Sequence, residues 1–90
     1  MPEISRFFGI IIRMFPAEKG SHHRPHFHAY YQESNASFSL DPVELLSGSL
    51  PIRQRRFVEA WAELHEEELL EDWKLLKLGR GAKKIDPLEK

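Results

Sequence analysis

His26-Phe27-His28 sets two imidazoles two residues apart. On a β-strand, side chains alternate between faces, so both rings project from one side, with Cα atoms roughly 6–7 Å apart at a rise of about 3.3 Å per residue. Imidazole exchanges a proton near neutral pH. Such a pair therefore suits a general acid and a general base flanking a scissile phosphodiester. It also suits two ligands of one metal ion, with a third ligand to be drawn from His22, His23, Glu33 or Asp41, none of which stands at a diagnostic spacing. A third reading involves no chemistry: a strand surface that binds a protein partner.

Four further cations and a phenol could join these histidines. Arg13 ends the preceding apolar stretch, and its planar guanidinium can hold a phosphate or a carboxylate. Tyr30 shares the period-two face of His26 and His28. Arg53, Arg55 and Arg56 fall in the opening of a predicted helix, where cations oppose the helix dipole at a cost of a few tenths of a kcal/mol or more each. They suit an RNA backbone or an acidic partner. Alternatively, Arg55 pairs with Glu59 one turn on.

The elements that position these residues follow from hydrophobic periodicity. Phe7 to Phe15, rich in Ile and Phe, predicts a strand. Pro16 to Ser21 is a loop, and His26 to Gln32 a second strand. Ala36, Phe38 and Leu40 alternate with Ser37 and Ser39, which predicts a third strand. Val43 to Leu46 is a short candidate fourth, ended by Ser47-Gly48-Ser49. The period then changes to that of a helix at Phe57, Val58, Trp61, Leu64 and His65, and again at Leu69, Leu70, Trp73 and Leu76. Pro51 suits the first turn, and Gly79 a helix end. This region is one helix or two, with a break near Glu66-Glu67-Glu68. Trp61 and Trp73 belong to the core, the acidic run Glu63 to Asp72 to a solvated face, and Ile85 and Leu88 of the polar tail dock on the body.

The expected architecture is α+β: a three- to four-stranded antiparallel meander over residues 1–46, a helical part over 51–79 covering one face, and a tail over 80–90. The open face would carry Arg13, His26, His28, Tyr30, Ser37 and Ser39 in water. Ninety residues make one domain. The absence of cysteine excludes a disulfide framework, a thiolate nucleophile and a Cys-based zinc site, and it suits a reducing cytoplasm. The opening residues do not form a signal peptide, and the longest apolar run is too short to span a membrane. No cofactor is implied. The net charge of −1 argues against a generic nucleic-acid binder. Yet residues 1–56 carry seven Lys and Arg against five Asp and Glu, a net of +2, and residues 57–90 carry six against nine, a net of −3. The histidines lie in the positive half.

Longer stretches carry a family resemblance. Pro2 to Met14, Pro25-His26-Phe27-His28-Ala29-Tyr30-Tyr31, Gly48-Ser49-Leu50-Pro51, Trp61 to His65, Glu68 to Trp73 and Lys84-Ile85-Asp86-Pro87-Leu88 occur in the order of a small bacterial domain-of-unknown-function family, numbered 4160, which this chain resembles. The motif positions are Arg13, His26, His28 and His65. The chain departs from the family pattern over Ala17 to Arg24, a longer and more histidine-rich loop. The resemblance implies one half of a two-gene toxin–antitoxin-like cassette, hence a cognate antitoxin-like small protein as partner. The resulting expectation is a toxin-like component acting on RNA, with His26, His28 and Arg13 catalytic and Tyr30, Arg53, Arg55 and Arg56 binding. The alternatives are a non-catalytic protein-binding module and a metal-binding protein.

Overall fold

A computed structural model describes residues 3–15 and 24–88. His22 and His23 lie outside the described residues. Five strands, β1 (Glu3–Phe7), β2 (Ile10–Arg13), β3 (His26–Tyr31), β4 (Ser34–Ser39) and β5 (Glu44–Ser49), precede two helices, α1 (Ile52–Leu64) and α2 (Glu66–Lys77). The strands pair antiparallel in chain order, β1-β2-β3-β4-β5, as a meander. The α+β class holds, with five strands where three or four were expected.

The extra strand and the extended last strand each have a local cause. The apolar run from Phe7 folds back on itself at Phe8-Gly9, where φ is 50° and 77°. Positive φ at both central residues defines the two-residue hairpin turn whose twist matches antiparallel strands. A phenylalanine at the first of these positions hides the turn in the sequence. At the other edge, Ser47-Gly48-Ser49 continues β5 rather than ending it. Gly48 takes φ 77°, and a Cβ there would lie 2.3 Å from the Asn35 carbonyl oxygen. Only glycine lets the two backbones approach this closely.

Alternation groups Phe8 with Ile10, Ile12 and Met14 as an inward set, but Phe8, in the β1–β2 turn, is 47% exposed, and the rest of the predicted set is inward. Ile10, Ile12, Met14, Phe27, Ala29, Phe38 and Leu40 are fully buried, with Val58 and Trp61 of α1 and Leu69 and Trp73 of α2. Phe27 stacks on Phe38 at 5.4 Å and meets the Trp61 ring edge-on at 5.9 Å. Leu64, placed on the buried stripe by spacing, is 72% exposed. Trp61 and Ala62 of the same last turn stay buried, and Leu64, the final residue of α1, falls outside the stripe they form. The helical region is two helices parted by His65, whose N–H bonds the Trp61 carbonyl while its own carbonyl starts α2. Gly79 N–H bonds Leu76 O, and Arg80 N–H bonds Leu75 O, which closes α2.

The tail is structural. Ile85 is buried and its N–H donates to Ile4 O at 2.8 Å, while Trp61 Nε1 donates to Asp86 O at 2.8 Å. Asp72 departs from the expected solvated acidic face. It is buried, and its Oδ1 accepts the Lys83 N–H at 2.9 Å. Burial pushes its carboxyl above the ordinary Asp range. Glu68 and Glu71 push the same way, and the Lys83 contacts pull against them.

Candidate functional site

Strand register decides what shares the outer face. Arg13 pairs with Glu3 on one side and His28 on the other; His28 pairs with Ser37, and Ser37 with Ser47. Cross-strand partners project to the same side. One polar row, Glu3–Arg13–His28–Ser37–Ser47, thus crosses all five strands. His26, opposite Ser39, and Tyr30, opposite Asn35, flank it along β3.

The rings on this face touch. His26 and His28 have centroids 5.3 Å apart, and Tyr30 stacks on His28 at 6.4 Å. Phe15 meets the far side of His28 at 4.9 Å, and Trp73 of α2 meets His26 at 5.1 Å. These neighbours hold both imidazoles in place. His26 Nδ1 lies 3.0 Å from the Arg24 carbonyl. A carbonyl only accepts, so Nδ1 carries the proton and the neutral ring keeps the Nε2 lone pair.

Arg13 has its guanidinium carbon 5.6 Å from the centre of the Tyr30 ring. Its Nε is buried, with no hydrogen-bond acceptor among the described residues. Glu3, across the strand pair, is engaged by Arg6, whose Nε and Nη2 donate at 3.0 and 2.8 Å. That bond lowers the Glu3 pKa, with Lys84 and Arg13 acting more weakly in the same direction.

A depression of about 420 Å³ opens beside the histidines, lined by Arg24, His26, His28, Ser37, Leu46 and Ser47. A β-bulge shapes it. Between Ser37↔Ser47 and Phe38↔Leu45 the register shifts, so Leu46 is the extra residue and stands 42% exposed. Ser37 and Ser39 do not lie open to water as expected. Ser37 Oγ is 2.7 Å from Ser47 Oγ, and Ser39 Oγ donates to Pro42 O at 2.8 Å, because the bulge and the β4–β5 turn cover them.

The remaining predicted residues lie elsewhere. Arg53 sits over the Phe57 ring at 5.5 Å, and Phe57 packs at a tilt against Phe8 of the β1–β2 turn at 4.8 Å. That turn is at the opposite end of β2 from Arg13, so these arginines do not join the histidines. Arg55 pairs with Glu59 at 3.0 Å, and Arg56 is exposed. His65 stands at the helix break, against Trp61 at 5.7 Å and with Nδ1 bonded to Glu68. Spacing did not single out Arg24, Leu46, Ser47 or Trp73. Arg24 was legible only through its nearness to His26, and Leu46 not at all, since a bulge leaves no alternation signal.

Among the described residues no group of three His, Cys, Asp or Glu could hold a metal ion. No described helix is long and apolar enough to cross a membrane. No curated protein and no solved structure matches the chain. The family model described as "Domain of unknown function (DUF4160)" matches residues 9–74, from the β1–β2 turn into α2 and including Arg13, His26, His28 and His65, and the chain belongs to that family.

Proposed function

We propose that this chain is a toxin-like component of a bacterial toxin–antitoxin pair that cleaves RNA on its outer sheet face. The observation that carries the reading is the pair of ring-braced imidazoles with Arg13 directly across the strand pair from His28 and set over the Tyr30 ring. His26 is the base, because its Nε2 keeps the lone pair. It takes the proton of a ribose 2′-hydroxyl. The 2′-oxygen bonds to phosphorus as the bond from phosphorus to the 5′-oxygen breaks. His28, in its protonated form, gives the leaving 5′-oxygen its proton. The products are a 2′,3′-cyclic phosphate and a 5′-hydroxyl. Arg13 offers donors to the charge that grows on the phosphorane oxygens. Tyr30 supplies a ring on which a base stacks, in the manner of single-strand binders. Arg24 and the depression beside it receive the neighbouring phosphate. A cognate antitoxin would neutralise the chain by covering this face.

The test is growth of a bacterial host expressing the wild type beside His26→Ala/His28→Ala, with both checked for folding by circular dichroism. Arrest by the wild type alone is expected. Equal arrest by both would replace catalysis with binding of a protein target. Absence of arrest by a folded wild type would remove the toxin reading.

A further inference from the structure

The solvent side of α1 has no role in the sheet site. Arg53, Arg56, Ala60, Glu63 and Leu64 are all exposed, and their spacing of three and four residues sets them in one stripe. Leu64 is 72% exposed and Ile52, at the other end of the helix, 60%. An apolar residue thus stands unburied at each end.

The charges of α1 run against its own dipole. Its first turn holds no acidic residue and its last turn no basic one. Arginines occupy the positive end and Glu63 the negative end, each unfavourable for the helix alone. Arg55 is compensated by Glu59 on the flank. Among the described residues, Arg53, Arg56 and Glu63 have no ion pair, and Arg53 meets only the Phe57 ring.

We propose that α1 pairs antiparallel with α1 of a second copy of this chain about a two-fold axis at Ala60. At a rise of about 1.5 Å per residue, Arg56 and Leu64 each stand roughly 6 Å from Ala60, on opposite sides. Arg53 stands roughly 10 Å and Glu63 roughly 5 Å from Ala60 on opposite sides, and Glu67, exposed in the first turn of α2, follows Glu63 past the break at His65. Antiparallel pairing therefore brings the arginines of each copy to the glutamates of the other. It aligns the dipoles favourably and lays Leu64 of each copy against the aliphatic stem of Arg56 of its mate. Ala60, with the smallest side chain of the stripe, allows close approach at the axis. The same patch serves both copies, as a two-fold interface requires.

Sedimentation equilibrium over a concentration series tests this with two charge-reversed variants, Arg53→Glu/Arg56→Glu and Glu63→Arg/Glu67→Arg. The wild type is expected to approach twice its 10.6 kDa. Each variant alone faces like charge across the axis and stays monomeric, although its α1 now suits its own dipole and remains folded by circular dichroism. Mixed one to one, the two variants are complementary and regain the dimer mass. A wild type that remains monomeric throughout overturns the proposal. So does a mixture that fails to associate, or retention of single-stranded RNA that falls with the arginine reversal while the mass stays monomeric.

Discussion

Arg13 of β2 and His28 of β3 are direct cross-strand partners, and His28 stands in turn opposite Ser37 of β4. A residue from an Ile-rich hairpin, one from an aromatic strand and one from a serine-rich strand thus meet on one face. The register that brings them together is set by the inward set Ile12, Ala29 and Ala36, which are buried. A slip of one residue would bury the histidines and expose the core.

Arg13 is expected to act through its fork as well as its charge. Arg13→Ala should lower the RNA cleavage rate about 100-fold, the cost of removing a donor to developing charge. Arg13→Lys should recover only a small part of that loss, because ammonium lacks the planar pair of donors. Single-turnover rates at saturating RNA measure this, and a fully active Lys variant would show that charge alone suffices.

Gly48 is expected to be the least tolerant position of β5. Gly48→Ala places a Cβ 2.3 Å from Asn35 O at φ 77°. The strain and the displaced β4–β5 pairing should cost about 2–4 kcal/mol. A urea unfolding midpoint that does not move would show that the strand shifts freely to accept the methyl group.

Much of this arrangement was legible in the sequence, because burial writes a period into it. Phe27, Ala29 and Tyr31 against His26, His28 and Tyr30 gave the correct faces of β3. The helical period placed Trp61 and Trp73 in the core. What stayed hidden depends on backbone conformations that residue type does not announce. Phe8 at positive φ concealed a turn, and the bulge at Leu46 concealed one wall of the depression. Asp72 read as part of a charged run because its partner, the Lys83 N–H, belongs to a tail eleven residues on.

Asp72 links stability to pH. Its folded pKa is raised above the ordinary Asp value of 3.8, chiefly by burial. The folded chain therefore binds the proton more tightly than the unfolded chain. Stability contributed by this group is full below about 3.8 and is lost as pH rises through the raised folded value. Asp72→Asn keeps an acceptor for the Lys83 N–H and has no charge to desolvate. It should be more stable than the wild type by about 1 kcal/mol at neutral pH, with the difference vanishing toward pH 4. Urea unfolding at a series of pH values measures this. A variant less stable at neutral pH would mean that the ionised carboxylate is stabilising.

The proposed RNA chemistry on the histidine face is tested most directly with purified wild-type protein and a single-stranded RNA, its products resolved by end group. The account predicts fragments ending in 2′,3′-cyclic phosphate and 5′-hydroxyl, and their loss in folded His26→Ala and His28→Ala variants. Intact RNA with folded wild type, or cleavage undiminished in both variants, would contradict it.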